Sequence, residues 1–303
     1  MKRYIAGKMV KAMEKSDTGI LAEKTLPSGI TEITDIPYIE DGHWGHLMDI
    51  YYPQDTVDQL PLIIDIHGGG FLYGNKELNK LYGYHLAQKG FAVCNMNYRL
   101  AYEDAKVPEQ IRDISAALCW LSQNISKYPI DQDKVFIMGD SAGAVHAVMA
   151  VLISKSSRLQ QVYDVPPVQL DFKAMALISG MMCFDKKSIL YWGLRSICFD
   201  RGYKRQDTYK NMIFSSLAEI KDLPPIFLAT SEEDELKYMT YDFENVLKEN
   251  GVCNQLVCAP KVEGRRLGHV FSILNPDFEE SDELINKMTD FFIGFSDKYS
   301  SKD

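Results

Sequence analysis

From Leu62 onward, the chain alternates short apolar runs with longer segments of helical periodicity. Apolar runs of strand length occur at 62–66, 91–96, 135–138, 172–179, 225–230 and 254–258. Helical periodicity occurs at 76–89, 108–127, 142–154 and 282–295. Strands that are apolar throughout and separated by helices indicate a parallel sheet covered on both faces. The expected fold class is therefore α/β, with a mostly parallel twisted sheet and helices on both of its faces.

A β-hairpin is predicted before this alternation begins. Residues 33–39 and 47–52 alternate apolar and polar positions on either side of an Asp-Gly pair. His43 and His46 at the tip could bind a metal ion, but no Cys or carboxylate pattern completes a site. We therefore expect a solvated turn at this tip, and no metal ion or other cofactor in the protein.

The first residues predict an amphipathic helix. Within residues 4–13, Ile5, Met9, Ala12 and Met13 recur at helical spacing, with lysines elsewhere. Such a helix can lie on a membrane surface, but it more often packs on the body of its own protein. We favour a cap helix near the entrance of a binding site.

Residues 181–222 interrupt the alternation with large apolar side chains among charged ones. These side chains are Phe184, Tyr191, Trp192, Leu194, Phe199 and Tyr203. An aromatic-rich excursion between two strands suits a cap over a cleft, and the alternative is a helical insertion packed on the surface. With the cap favoured, we expect one domain, 1–303, with cap segments at about 1–30 and 181–222.

Composition narrows the classes of function and location. With 303 residues, 46% of them hydrophobic, the chain can bury a sizeable core. Its formal net charge of −9 argues against a nucleic-acid surface. The basic start is not followed by an apolar core of signal-peptide length, and no stretch of about 18 apolar residues occurs. We expect a cytoplasmic protein with no nucleic-acid partner and no stable membrane association, and leave a homo-oligomer open.

The six cysteines are expected to be free and buried. They stand mostly in apolar runs and include no C-x-x-C pair. Cys253 and Cys258 lie five residues apart in one predicted strand, which puts them on opposite faces. A disulfide between these two is therefore not expected.

The strongest chemical signal lies where the third of these strands meets the third helix. The apolar run 135–138 leads into Gly139-Asp-Ser-Ala-Gly143 and then directly into a helix of small and apolar residues. Glycines on either side let strand and helix pack closely and leave the hydroxyl of Ser141 protruding above the helix N-terminus. An ordinary glycine-rich turn is the alternative, but the flanking strand and helix favour a nucleophilic serine.

A second glycine-rich turn follows the strand at 62–66. His67-Gly-Gly-Gly70 lacks the G-x-G-x-x-G spacing of a dinucleotide-binding loop, and no Lys-Ser/Thr pair follows it. Its backbone N–H groups, with that of the residue after the nucleophile, can stabilise the negative charge that develops on a carbonyl oxygen in acyl transfer. The two turns together point to acyl-transfer chemistry.

With these motifs, the sequence resembles the α/β-hydrolase superfamily, specifically the esterase branch related to hormone-sensitive lipase and bacterial carboxylesterases. Five motifs follow the family's order between residues 61 and 271: His67-Gly-Gly-Gly70, Tyr98-Arg-Leu-Ala101, Gly139-Asp-Ser-Ala-Gly143, Pro224-Pro225 with Glu233-Asp-x-Leu236, and His269-Val-Phe271. The resemblance implies an α/β-hydrolase fold with a small cap and an oxyanion hole formed by Gly69, Gly70 and Ala142. Tyr102 stands where relatives commonly have Pro, so the shape of that loop is expected to differ.

A catalytic serine needs a base, and in this fold the chain order is serine, acid, histidine. Two histidines follow Ser141 in the sequence. His146 lies on the helix after the serine and is expected to point away from the turn or into packing. His269, in the segment after the last predicted strand, is therefore the expected base.

The orienting acid is harder to assign. Asp234 follows the strand predicted at 225–230, but Glu232, Glu233 and Glu235 surround it, and the residues alone do not choose among the four. The resemblance implies Asp234, through Pro224-Pro225 and the Asp-x-Leu register.

We therefore expect a serine carboxylic-ester hydrolase that acts on small esters with short acyl chains. An amidase, formamidase or peptidase with the same triad is the related alternative, and a non-catalytic small-molecule receptor is the alternative from another class. Bulky Phe71, Tyr73, Tyr191 and Trp192 are expected to bind substrate near the entrance and to shorten the pocket. This favours acyl groups from acetyl to butyryl or hexanoyl.

Overall fold

The computed structural model describes residues 2–103 and 105–296, without the side chains of residues 2–6, Met9 and Leu190. The strands in these ranges are β1 (Ile30–Pro37), β2 (Leu47–Pro53), β3 (Leu60–Ile66), β4 (Ala92–Met96), β5 (Ile130–Asp140), β6 (Phe172–Ile178), β7 (Ile226–Ser231) and β8 (Asn254–Ala259). The α-helices are α1 (Lys2–Ala22), α2 (Lys80–Gln88), α3 (Val107–Asn124), α4 (Ala142–Lys155), α5 (Ser157–Tyr163), α6 (Ile189–Cys198), α7 (Asp207–Lys210), α8 (Lys237–Glu249), α9 (Phe271–Leu274) and α10 (Glu279–Ser296).

The eight strands of the described ranges form one sheet in the order β1-β2-β4-β3-β5-β6-β7-β8. β2 pairs antiparallel with both β1 and β4. The other neighbours pair parallel. The prediction of a mostly parallel α/β sheet is confirmed.

The central strands are largely apolar because both faces of the sheet are covered. Leu62, Ile64 and Ile66 of β3 belong to a cluster that includes side chains of α3, α4 and α8. Ile63 points the other way and belongs to a cluster with α2 and α10. Since successive strand residues face opposite sides, a strand between two helical layers carries apolar residues on both of its faces, and Asp65 is a buried polar exception in β3.

The parallel strands bring the candidate motifs to one edge of the sheet. β3 ends just before the glycine loop, β5 ends at Asp140, and β7 ends three residues before Asp234. Open α/β sheets bind ligands at the carboxyl ends of their strands. The glycine loop, Ser141 and Asp234 therefore lie at the same edge of the sheet.

Helix α2 begins four residues later than predicted. The segment before it is held in a turn by long-range bonds: Lys76 N donates to Asn97 Oδ1 at 2.6 Å, and Lys76 Nζ lies 2.9 Å from Asp49 Oδ2. Lys76 and Asp49 are both buried. These partners lie far away in sequence, so local periodicity does not show where the helix starts.

Helix α1 extends beyond its predicted end and contacts α6 and α9. Val10 packs against the main hydrophobic cluster. Gly7 is so close to Tyr102 that a Cβ on the glycine would lie 2.5 Å from the tyrosine hydroxyl, so the residue in the expected divergent loop supports α1. Of the predicted apolar stripe, the Ile5 and Met9 side chains lie outside the described residues. Among the described helices, none combines the length and apolarity needed to cross a membrane.

Residues 181–222 contain α6, α7 and three short 3₁₀ helices at Tyr203–Arg205, Phe214–Ser216 and Ala218–Asp222. The aromatic side chains of Phe184 and Phe199 are buried in the main cluster rather than exposed above the sheet. This segment meets α1 through α6.

The predicted hairpin is present as β1 and β2, but the solvated turn is wrong for His46. This residue is 4% exposed, its Nδ1 lies 2.9 Å from Asp41 Oδ2, and its Nε2 lies 3.4 Å from Asp113 Oδ1. Tyr38 packs against the ring edge-on. A tip histidine with two carboxylate neighbours folds inward, which the local turn pattern does not reveal.

The cysteines are all free, but only some are buried. Cys94, Cys183 and Cys198 are buried, whereas Cys119 and Cys258 are partly exposed and Cys253 is exposed. The prediction of buried thiols is therefore wrong for Cys253, which lies just before the edge strand β8, where one side has no neighbouring strand.

Candidate active site

Ser141 stands in the turn between β5 and α4. Its φ is 49°, a backbone conformation that is costly for a residue other than glycine. Ser141 N donates to Ile178 O at 2.9 Å, which ties the turn to the end of β6. The flanking glycines are required by close packing: a Cβ on Gly143 would lie 1.9 Å from Ile66 O, and one on Gly139 would lie 2.4 Å from the Gly143 backbone. The hydroxyl is thus held above the sheet by a strained and tightly packed turn.

Three side chains from separate elements form a hydrogen-bonded series. Ser141 Oγ lies 2.9 Å from His269 Nε2, and His269 Nδ1 lies 2.9 Å from Asp234 Oδ1. His269 is in the segment between β8 and α9, and Asp234 follows β7. This is the spacing in which a hydroxyl can give its proton to an imidazole that a carboxylate orients.

Asp234 is buried and its carboxylate accepts several hydrogen bonds. Besides His269, Leu236 N donates to Oδ1 at 2.8 Å and Thr230 Oγ1 donates to Oδ2 at 3.0 Å. Burial alone would raise the pKa of Asp234, but the hydrogen bond and positive charge of His269, with the Leu236 N–H, bring this pKa below its ordinary value. The group is therefore a carboxylate at neutral pH.

The neighbouring acids have other partners. Glu233 Oε2 accepts from Leu267 N at 2.9 Å, Glu235 pairs with Arg266, and Glu232 is exposed. Of the four candidates named from the sequence, Asp234 is the one next to His269.

The segment carrying His269 is anchored to the ends of two strands. Ser231 Oγ, at the end of β7, donates to Leu267 O. Ser179 Oγ, just after β6, accepts from Val270 N at 3.3 Å. Ser179 and Val270 both have a φ of 50°, a conformation that is costly for residues other than glycine. The segment next to the imidazole is therefore held in a strained backbone conformation. Sequence reasoning missed these supports, because neither serine lies in a recognisable motif.

The glycine loop adopts conformations that favour glycine. Gly69 has a φ of 107° and Gly70 a φ of 61°. A Cβ on Gly69 would lie 1.9 Å from Tyr73 O, so a side chain there has no room. Both glycines line the same cavity as Ser141, and Ala142 is the first residue of α4, where backbone N–H groups lack partners within the helix.

Two buried carboxyl groups lie beneath this loop. Asp140 Oδ1 accepts from Gly68 N and from Asn79 Nδ2, both at 2.9 Å, and Asn79 Nδ2 also lies 2.9 Å from Asp65 Oδ2. Burial raises the pKa of Asp140 to about 6, against the opposing hydrogen bond from Asn79. Burial and the nearby charge of Asp140 raise the pKa of Asp65 well above its ordinary value. The Asp140 side chain thus links the turn that carries Ser141 to Gly68, the first glycine of the loop.

The cleft above Ser141 has a volume of about 180 Å³. Its lining comprises Met13, Asp17, Gly68, Gly69, Gly70, Tyr73, Leu78, Asn79, Asp140, Ser141, Met181, Leu236, His269, Val270, Ile273 and Leu274. Helix α1 contributes Met13 and Asp17, so it forms part of the wall. We call this space the cleft below.

The sequence model of the BD-FAE family matches residues 48–238, which is more than half of the chain. The chain belongs to the BD-FAE family. The match includes the glycine loop, Ser141 and Asp234 but ends before His269, whose place beside the serine is given by the geometry alone. Membership groups the chain with the α/β-hydrolase esterases, as the sequence resemblance predicted.

Individual relatives of this BD-FAE member agree with the grouping. Carboxylesterase NlhH of Mycobacterium tuberculosis is 26% identical over 250 residues, which cover 79% of this chain and 73% of that protein. The probable isoprenylcysteine alpha-carbonyl methylesterase ICME of Oryza sativa subsp. japonica is 29% identical over 117 residues, which cover 38% of this chain and 28% of that protein. The match thus spans little more than a quarter of the length of that relative. The solved structure of esterase B from Lactobacillus rhamnosis superposes with a TM-score of 0.89 at 28% identity and covers 98% of this chain and 97% of that one.

Within this BD-FAE site, the expected substrate-binding residues are only partly brought together. Tyr73 lines the cleft. Phe71 does not, since it is fully buried with a φ of 67° and stacks on Phe184 at a centroid distance of 5.0 Å. Tyr191 packs against the main cluster and Trp192 is 48% exposed, both on α6 and outside the cleft lining. None of these three residues lines the cleft, because the loop turns Phe71 inward and α6, which carries Tyr191 and Trp192, packs against α1. Their part in binding substrate stays a prediction.

Two other histidines near the site, His146 and His67, are buried in the protein and do not line the cleft. His146 is buried on α4, and its Nε2 lies 3.1 Å from Gln110 Oε1, in agreement with the expectation that it points into packing. His67 stacks on Tyr98 at a centroid distance of 4.3 Å, and burial lowers its pKa to about 4. Within the described residues, no cluster of three or more His, Cys, Asp or Glu side chains is arranged to hold a metal ion.

Proposed function

We propose that this protein is a serine esterase that hydrolyses small carboxylic esters of short-chain acids, with Ser141 as nucleophile, His269 as base and Asp234 as the orienting acid. The observation that carries the proposal is the unbroken series from Asp234 Oδ1 through His269 to Ser141 Oγ, with both distances at 2.9 Å. Homology to carboxylesterases supports the same chemistry.

In the first half of the reaction, Ser141 Oγ attacks the ester carbonyl carbon while its proton passes to His269 Nε2. Asp234 accepts the Nδ1–H bond and stabilises the imidazolium that forms. The tetrahedral intermediate collapses when its C–O bond to the alcohol breaks, and His269 returns the proton to the leaving alkoxide. In the second half, water attacks the acyl-enzyme by the same route and releases the acid.

The negative charge of each tetrahedral intermediate needs donors that are fixed in advance. We assign this role to the backbone N–H groups of Gly69, Gly70 and Ala142. The absence of side chains at the two glycines leaves the loop open toward the cleft, where the Met13 methyl would lie 4.0 Å from a Cβ on Gly70. The tie between Gly68 N and Asp140 keeps this loop next to the serine.

The size of the cleft supports short acyl groups. At about 180 Å³, it is smaller than the pockets of roughly 300–1,000 Å³ that enclose drug-sized ligands. A structure of esterase B carries the C4-C4 SN3 tributyrin phosphonate inhibitor, so a butyryl ester is within reach of a close relative. We propose acetyl to butyryl or hexanoyl esters as substrates. We also propose that α1 and residues 181–222 act together as the cap of a single domain.

The proposal is tested with a panel of p-nitrophenyl esters and one change at the nucleophile. We expect kcat/KM to peak at acetate or butyrate and to fall at octanoate and laurate. Ser141→Ala should lower kcat on the order of a thousandfold or more, because a triad member is lost while a small side chain still fits the turn. A fluorophosphonate probe should label wild type and not this variant.

The matched control is Ser154→Ala, at the far end of the same helix, whose hydroxyl bonds to Val151 O. It should keep wild-type turnover and labelling. Near-wild-type hydrolysis by folded Ser141→Ala would overturn the mechanism. Efficiency that rises steadily to laurate would overturn the short acyl pocket, and faster turnover of matched p-nitroanilides than of the esters would indicate an amidase instead.

A further inference from the structure

A second and larger space lies against α1, on the other side of Tyr73 from the cleft. This α1 cavity has a volume of about 710 Å³. Tyr73 and Leu78 line both the α1 cavity and the cleft. Helix α1 also faces both, with Met13 and Asp17 toward the cleft and Val10, Glu14, Thr18 and Leu21 toward the α1 cavity. The two spaces therefore share a wall of which Tyr73 is the bulkiest member.

Tyr73 is fixed at both of its ends. Its hydroxyl donates to the Asp17 carboxylate on α1, and its backbone N donates to Gly69 O at 3.1 Å. Its carbonyl oxygen packs against the side of Gly69 where a Cβ would fall 1.9 Å away. The residue is 5% exposed. The ring is thus held between the glycine loop and α1 as a partition.

The geometry points to Tyr73 as the residue that sets the acyl-chain limit, by closing the cleft off from the α1 cavity, which has the volume and a partly apolar lining to take a longer alkyl chain once the partition is opened. This inference rests on the proposed esterase function. Asp17 acts as a positioning residue, since it holds the tyrosine hydroxyl and does not itself need to touch the substrate.

The acyl chain, rather than the alcohol, is the part that meets this wall. The leaving alkoxide must receive its proton from His269 Nε2, so the alcohol oxygen lies on the side of the cleft formed by His269 and α9. The carbonyl oxygen accepts hydrogen bonds from the N–H groups of the glycine loop. The acyl chain is left with the remaining lining, in which Tyr73 and Leu78 border the α1 cavity and Met13, Met181 and Leu236 form the other parts.

One part of the α1 cavity offers an apolar surface to an alkyl chain. It includes Val10, Leu21, Trp44, Leu72, Leu78 and Leu100. The charged residues that also line the cavity are exposed: Lys11, Glu14, Glu77 and Glu103. Methylene groups that leave water for such a surface gain binding free energy in proportion to the area buried.

The experiment compares kcat/KM for p-nitrophenyl octanoate with that for butyrate. In Tyr73→Ala, this ratio should rise at least about tenfold over wild type, since each buried methylene can favour binding about fourfold. Tyr73→Phe keeps the ring and loses only the bond to Asp17, so its ratio should move much less. If Tyr73→Ala does not fold, Tyr73→Leu opens the same wall partly and should shift the ratio in the same direction.

A plug in the α1 cavity shows where the added chain goes. Thr18 is exposed and lines the α1 cavity but not the cleft, so Thr18→Trp can occupy part of the cavity from α1. In the double variant Tyr73→Ala with Thr18→Trp, the octanoate-to-butyrate ratio should return toward wild type. Thr18→Trp alone should leave the ratio as it is in wild type.

The outcomes separate this inference from the proposed function. If wild type hydrolyses no ester, the proposed function fails. If wild type hydrolyses short esters but folded Tyr73→Ala keeps its ratio, only the inference is overturned. A ratio that stays raised in the plugged double variant would overturn the assignment of the chain to the α1 cavity. A shift seen with octyl against butyl acetate, and not with the acyl series, would overturn the acyl assignment.

Discussion

Replacing Asp234 with Asn tests the proposed triad at its most buried member. The donors that converge on this carboxylate include His269 Nδ1 at 2.9 Å, Leu236 N at 2.8 Å and Thr230 Oγ1 at 3.0 Å. Asparagine offers one oxygen and one NH₂ group. Its oxygen can still accept from His269 and Leu236 if the NH₂ group faces Thr230, whose hydroxyl can turn and accept. The variant therefore keeps the shape of the site and removes the charge that stabilises the imidazolium.

We expect kcat for p-nitrophenyl butyrate to fall by about 10³- to 10⁴-fold in Asp234→Asn, which corresponds to roughly 4 to 5.5 kcal/mol of lost transition-state stabilisation. KM should change little, because the carboxylate acts on the imidazole and lies behind it rather than in the cleft lining. Steady-state kinetics give the two constants, and circular dichroism with thermal unfolding shows whether the variant is folded.

Glu233→Gln is the matched control, one residue away in the chain. Its Oε2 accepts from Leu267 N at 2.9 Å, and glutamine keeps an acceptor for that bond. Turnover should stay near wild type. If Glu233→Gln loses more activity than Asp234→Asn, the assignment of the acid is wrong by one residue. If folded Asp234→Asn turns over like wild type, no buried carboxylate is needed to stabilise the imidazolium.

The parts of the site that could be predicted from the sequence are those that local backbone demands create. A serine flanked by glycines between an apolar strand and an apolar helix favours this turn, in which Gly139 and Gly143 have no room for a Cβ. The glycine loop after β3 is specified in the same local way. The parallel sheet follows from runs of apolar residues that both faces of the sheet bury. Each of these features is marked by residues close together in sequence, although some of the contacts it makes, such as that of Gly143 with Ile66 O, are long-range.

The parts that could not be predicted depend on partners far apart in the chain. Asp17 meets Tyr73 across 56 residues, and Asn79 joins Asp65 to Asp140 across 14 and 61 residues. Neither Asp17, within α1, nor Asn79, just before α2, is part of a recognisable motif, because polar residues are common in surface helices and at their starts. Even Asp234 was distinguished from its glutamate neighbours only through resemblance to the family.

The misplaced aromatic residues have a common cause. Phe71 was expected at the entrance because it follows the glycine loop, and Trp192 because it lies in an aromatic-rich excursion. Which way such side chains point is decided by backbone direction: a φ of 67° turns Phe71 into the core, and α6 sits beside α1. The composition of a segment indicates that its aromatic side chains will be buried, but it does not indicate which part of the protein they pack against.

Two further substitutions test the backbone and the buried acids of the site. Gly143→Ala should abolish folding or activity, since its Cβ would lie 1.9 Å from Ile66 O, whereas Gly193→Ala on α6 has nothing within 4 Å and should be tolerated; soluble yield and ester turnover check both. Asp140→Asn should change how stability depends on pH. Burial raises the pKa of Asp140 from 3.8 to about 6, so between these values the native state binds more protons than the unfolded chain. The contribution of Asp140 to the free energy of unfolding therefore falls as the pH rises from 3.8 to about 6, by at most roughly 3 kcal/mol. The asparagine variant lacks this titration, so urea unfolding at about pH 4 and pH 7 should show wild type losing stability relative to the variant as the pH rises. A constant difference between the two proteins would mean that this carboxyl group titrates normally despite its burial.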